Sequence, residues 1–318
     1  MSVDPRFRGG DELGLKQRFI WFRECGGAVD QFLQHIVNGT ILGGTYALLG
    51  IGLTLIFGIM RVVNFTHGEL YAFGAYMAYL LVQVLQANFF LSLVLAAALG
   101  VALGALIEFV LLRRLRGADI DTVMLVMIGA GIALQNFWQL AFSGVAKSIN
   151  HPFPDLPLVF GPVSVAPIRL FVIAVAIALL VGFYLLINRT RIGVAMRASF
   201  QDPDVAALMG VNIPLMCTLT FGLGSGLAAI AGALLGPIFV VTPTMGDLVA
   251  LKAFAIVILG GLGNIVGATI GGFVLGIVEE FGAGYISSGY RDAMGFLLII
   301  AVLAFKPQGL FAAKERIG

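Results

Sequence analysis

Gly68–Tyr76 reads GELYAFGAY, and Gly246–Phe254 reads GDLVALKAF. Glycine, leucine and two alanines coincide, while Glu69 aligns with Asp247, Phe73 with Leu251 and Tyr76 with Phe254. A second block follows in the same order. Gly100, Leu103, Gly104, Glu108 and Phe109 match Gly272, Leu275, Gly276, Glu280 and Phe281 at one constant offset. Two ordered matches define an internal repeat over about residues 36–143 and 216–306.

Around these blocks the chain falls into nine apolar stretches, near 36–59, 69–87, 90–112, 122–143, 169–187, 216–240, 252–266, 268–283 and 292–306. Several are shorter than the ~20 residues that cross a bilayer comfortably. The pair 252–283 is interrupted by Gly260, Gly261 and Gly263 and reads as a broken or re-entrant element, so eight spans is the competing count. Five stretches separate the start of the first copy from the start of the second, and an odd number inverts one copy relative to the other. Inverted repeats with broken helices characterise transport proteins, whose pathway lies between the halves. A scaffold or a lipid-embedded enzyme leaves the inversion unexplained.

Composition agrees. Of 318 residues 59% are hydrophobic and 11% charged, where a soluble domain carries about 25% charged residues. A soluble globule of this size has too little interior for so much apolar surface. A cytosolic enzyme and a disordered chain are excluded. The runs are continuous, without the alternation of barrel strands. The fold class is therefore an all-α polytopic membrane protein of about 8–9 transmembrane helices in two inverted repeats, some of them broken or short. Residues 1–31 form a polar N-terminal tail, 32–311 the transmembrane domain and 312–318 a C-terminal tail. The first tail either lies on a membrane surface or is disordered.

The net charge of +2 and the lack of a basic tract give no reason to expect nucleic acid. Cys25 and Cys217 offer no disulfide framework, and His35, His67 and His151 have no metal-ligand spacing. Positive charge gathers at Arg113, Arg114 and Arg116, at Arg189, Arg191 and Arg197, and at Lys306, Lys314 and Arg316. Placing these clusters in the cytoplasm puts the proline-rich loop 144–168 outside and, with nine spans, the N-terminus outside and the C-terminus inside.

Four groups of residues are functional candidates. Asn64, Thr66, His67, Gly68 and Glu69 break the apolar pattern between two spans, either as a polar hinge beside the pathway or as a capping turn at the membrane face. Gly260, Gly261 and Gly263 are candidate hinge positions as well. Glu108, Glu279 and Glu280 lie in apolar helices, where ionisable groups are expensive. The spacing pairs Glu108 with Arg113, brings Glu279 and Glu280 close to the outer face, and lets Lys252 snorkel to that interface. The fourth group lies in the cytoplasmic loop 188–215. Asp202 is a good N-cap, Pro203 suits the first helical position and Asp204 adds charge in the first turn. Ala206, Ala207 and Leu208 continue a short helix that Gly210 stops. Its Leu/Met face reads as a docking peg, against the plainer reading of an interfacial loop helix. No Walker loop and no nucleophile–base–orienter set is visible, so no enzymatic role is expected.

Four stretches together carry a resemblance: NGTILGGTYALLGIGLTLIFGIMRVVNFTHGELYAFGAY, RASFQDPDVAALMGVN, LKAFAIVILGGLGNIVGATIGGFVLGI and KPQGLF. Over about residues 32–311 the chain resembles the permease subunits of bacterial ABC importers for branched-chain amino acids, the LivH type. That resemblance implies a second permease subunit, two cytoplasmic ABC ATPases that use the ATP, a periplasmic solute-binding protein and an inner-membrane location, with no cofactor in this chain. It aligns Asp202–Gly210 with the family's coupling helix, which seats on the ATPase. It implies leucine, isoleucine, valine or a related amphipathic solute, with urea or short amides, which close relatives carry, as the alternative. It also implies that selectivity resides mostly in the binding protein, consistent with no evident charged amino-acid site in this sequence. The charged lead of residues 1–31 departs from the family pattern. Without the resemblance, a self-sufficient secondary transporter with Glu69 or Glu108 as a proton site is the competing class.

Overall fold

The computed structural model describes the backbone of residues 9–306 and 309–311, and side chains from residue 29 within those limits. Expectations for residues 1–8, for the side chains of 9–28 including Cys25, and for Lys314 and Arg316 lie outside the described residues.

Each of the nine apolar stretches is a helix. Among the described residues α1 runs Gly9–Met60, α2 His67–Tyr79, α3 Phe89–Val110 and α4 Ile120–Phe142. After a short hairpin, β1 Leu158–Phe160 and β2 Val163–Val165, come α5 Pro167–Arg189, α6 Arg191–Gln201 and α7 Pro203–Leu208. The second repeat supplies α8 Ile213–Leu235, α9 Met245–Gly260, α10 Ile265–Tyr285 and α11 Arg291–Phe305. The helix α1 continues across the expected boundary at residue 31, so no break separates tail from bundle there.

Seven of these helices are long and apolar enough to cross a membrane. The two apolar stretches that fall short, α2 and α9, occupy corresponding places in the two repeats. Each is preceded by a non-helical segment, 61–66 before α2 and 236–244 before α9. The helix α9 has 16 residues, about 24 Å of rise at 1.5 Å per residue.

The bundle is built crosswise. The most extensive contacts join α1 to α10 and α3 to α8, so the first helix of each repeat packs on the third helix of the other. Small residues make this possible, because helices in lipid associate by close packing and not by excluding water. The backbones of Gly43 and Gly276 approach so closely that a Cβ on Gly276 would overlap Gly43. Central α1 and α8 are almost wholly buried, from Ile41 to Ile56 and from Thr220 to Leu235 apart from a few positions. The outer helices turn apolar side chains outward, including Leu125, Leu140 and Ile300.

The two ends of the bundle differ in charge. Arg61, Arg116 and Pro203 share one hollow, and Arg197 shares another with Asn264. Leu310 donates its N–H to the Leu259 carbonyl at the same end. At the opposite end the β-hairpin region meets α1, where Gln34 bonds Ser164, and Lys147 pairs with Val241. The segments 61–66 and 236–244 therefore enter from opposite ends, which is the geometry of inversion. The segment 188–215 is less of a loop than its sequence implied. Most of it is helical, because Thr190 caps α6 by accepting from Gly193 N–H and Met196 anchors that helix in the core.

Candidate functional site: the cleft between two short helices

The segment Asn64–Glu69 lies inside the bundle. Asn64 Oδ1 accepts the Thr66 N–H at 3.0 Å, and Thr66 Oγ1 donates to the Met127 carbonyl of α4 at 2.9 Å. His67 Nε2 stands 3.1 Å from the Leu49 carbonyl of α1. A carbonyl only accepts, so this contact puts the His67 proton on Nε2. Asn64, Thr66, His67 and Glu69 are all buried. The segment therefore fixes the entry of α2 against α1 and α4.

Gly68, at the start of α2, meets Gly246, at the start of α9, with no room for a Cβ on either residue. These are equivalent positions of the repeat, so the pseudo-twofold axis passes between them. The first acidic residue of each helix follows at once, Glu69 in α2 and Asp247 in α9. A cleft of about 360 Å³ opens beside them. Phe65 and Phe254 form one wall with ring centroids 5.0 Å apart, and Ile132 and Gln135 of α4 form another. Gln135 Nε2 donates to Asp247 Oδ2 at 2.6 Å. Ile132 and Leu251 at the rim are exposed, so the cleft opens on an apolar flank of the molecule.

The other glycine candidates are elsewhere. Gly260 packs on the backbone of Gly267, and Gly261 and Gly263 take positive φ in the turn from α9 to α10. Asn264 locks that turn by capping α10 at Gly267 and donating to the Phe311 carbonyl. The last turns of α9 separate them from Phe254, the nearest cleft residue on that helix.

Two expectations about charge are corrected. Lys252 does not snorkel and Glu279 is not exposed. Lys252 Nζ lies 2.8 Å from Glu279 Oε2, 2.8 Å from Tyr46 Oη and 2.7 Å from Asp292 Oδ1, tying α9 to α1, α10 and α11. Glu279 is 1% exposed. A buried carboxylate needs such partners, and sequence spacing gave no sign of residues so distant in the chain. Glu108 does take an arginine, but it is Arg116 at 2.6 Å, supported by Thr218 Oγ1 at 2.5 Å. Arg113 instead lies over the Phe109 ring. The repeat partner of Glu108, Glu280, pairs with Arg291.

The expected peg is a helix, α7. Asp202 Oδ1 accepts from Asp204 N–H at 2.9 Å and Val205 N–H at 3.0 Å, and Pro203 occupies the first turn. At the other end Val211 N–H bonds the Ala206 carbonyl and Gly210 N–H the Ala207 carbonyl, a Schellman closure with Gly210 at φ +87°. Leu208 and Met209 are 87% and 81% exposed, while Ala206 is buried.

Sequence reasoning passed over Phe65, Gln135, Asp247 and Phe254 as site residues. Asp247 had a signal, since the repeat aligns it with Glu69. Gln135 had none, because nothing in the sequence says which face of α4 turns toward α9.

The inverted repeats, the two short helices meeting at their N-termini and the cleft beside them define a multi-pass membrane protein of the transporter class. Residues 35–303 match the family model described as branched-chain amino acid transport system / permease component, and the chain belongs to that family. It is 36% identical to the high-affinity branched-chain amino acid transport system permease protein BraD of Pseudomonas aeruginosa, over 89% of this chain and 97% of that one. It is 34% identical to LivH of Escherichia coli K12, with the same description, over 89% and 96%. A structure titled PsaBC from Streptococcus pneumoniae in complex with Fab aligns over 90% of this chain and 94% of its own at TM-score 0.45 and 13% identity.

Proposed function

We propose that this chain is one of two permease subunits in an inner-membrane ABC importer for leucine, isoleucine, valine or a similar amphipathic solute. The observation that carries the reading is the meeting of α2 and α9 at Gly68 and Gly246, beside a cleft open on an apolar flank. A second permease covers that flank and closes the cleft into a pathway. The arginine-rich end faces the cytoplasm, by the rule that positive charge stays inside. There α7 seats Leu208 and Met209 on one of two ATPases, and closure of the ATPase pair moves the bundle through α6 and α7. A periplasmic binding protein delivers solute to the opposite end.

The test is uptake in proteoliposomes holding this chain, its partner permease, the ATPases and the binding protein. ATP-dependent leucine accumulation is expected. Uphill transport by this chain alone, driven by a proton gradient, overturns the reading in favour of a secondary transporter.

A further inference from the structure

Resting on that reading, one feature of the cleft is unexplained by helix capping. Acidic residues suit helix N-termini, but Glu69 is 4% exposed and its Oε2 has no hydrogen-bond partner. The Trp138 indole N–H is a neutral donor beside this carboxylate, outside strict hydrogen-bond geometry, and brings it no positive charge. Asp247, on the same cleft, has only the neutral amide of Gln135. Among the described residues no lysine, arginine or histidine lies within 4.0 Å of either carboxylate. The lysine that follows on α9, Lys252, is committed to Glu279 and Asp292. Every other deeply buried carboxylate described, Glu108 and Glu279, has a cation.

We propose that the cleft is a solute-binding site within the permease, in which Glu69 and Asp247 hold the ammonium group of an amino acid while Phe65, Phe254 and Ile132 hold its apolar side chain. A buried carboxylate without a resident cation, Glu69, beside the solvent-exposed carboxylate of Asp247 at the mouth of the cleft, is complementary to a mobile one. The aromatic wall suits a branched aliphatic group and adds cation–π attraction for the ammonium. The volume, about 360 Å³ before any partner closes it, accommodates one such molecule. Selectivity is then shared between the binding protein and the permease, contrary to the expectation drawn from the sequence.

The experiment is equilibrium binding of radiolabelled leucine to the assembled permease–ATPase complex in nanodiscs, without the binding protein. On the wild type, 3-methylbutylamine, which keeps the ammonium, is expected to compete, and 4-methylpentanoate, which lacks it, is not. Glu69→Gln and Asp247→Asn are each expected to weaken leucine binding at least tenfold. The competition arm needs no variant and survives any folding defect. Absence of saturable binding by the wild type, equal affinity in E69Q, or competition by the carboxylate instead of the amine overturns the proposal. Uptake by the complete system, measured in parallel, separates the two claims. If the wild type imports leucine but fails the binding arms, the site is wrong and the importer stands. If it imports none of leucine, isoleucine and valine, the branched-chain reading of the importer itself fails.

Discussion

Lys252 occupies in α9 the place that Gly74 takes in α2. Gly74 lets α2 press on the backbone of α8, whereas Lys252 reaches across to Glu279 and Asp292. The repeat has thus kept its backbone and diverged where one copy needs a charge. Breaking the buried pair leaves an uncompensated ion, so Lys252→Met is expected to destabilise by about 3–5 kcal/mol. The double variant Lys252→Met/Glu279→Leu should recover much of that loss, as removing both charges removes the desolvation penalty. Thermal unfolding of the purified protein in detergent compares the two, and equal losses would show that the pair is not the cause. Gly68 is the second sensitive residue. Its contact with the Gly246 backbone has no flexible side chain to move aside, so Gly68→Val is expected to lose about 1–3 kcal/mol or more by overpacking. Membrane abundance of the variant reports this, and an undiminished level would contradict the close approach.

At the scale of elements, α7 isolates two roles that the sequence ran together. Its formation depends on Asp202, and Asp202→Ala is expected to cost about 1 kcal/mol of local helix stability. Its proposed contact depends on Leu208 and Met209, which point away from the bundle. Substituting Ala206 would disturb packing instead, because that side chain is buried. Leu208→Asp/Met209→Asp is therefore the cleaner variant. It is expected to abolish ATP-dependent uptake while leaving membrane insertion and leucine binding at the cleft intact. Retained uptake would remove α7 from the coupling path. The helix itself was legible because Asp202, Pro203 and Gly210 are local signals, each acting within a turn. The preceding helix α6 was not, since it lacks a long apolar run and is held by Met196 and by Arg197 bonding the Ile187 carbonyl.

For the whole molecule, inversion predicts sidedness. Asp155 and Asp202 lie toward opposite ends of the bundle, so cysteines placed there, in a background without Cys25 and Cys217, should label from opposite sides of the membrane. Position 155 is expected to react from outside and position 202 only after permeabilisation. Labelling of both from one side would contradict a crossing by α5. The crosswise packing of α1 on α10 and α3 on α8 also means that neither repeat folds into a complete bundle alone.

Composition and periodicity were enough to locate the nine apolar helices and the repeat, because each depends on short windows of apolar residues or on matching blocks such as GELYAFGAY and GDLVALKAF. The pairing of those helices, the cation that answers each buried carboxylate, and the convergence of Glu69, Gln135 and Asp247 on one cleft were decided only by the tertiary structure. Rotation of a helix about its axis decides which side chains meet, and that rotation is set by packing against neighbours far away in the chain.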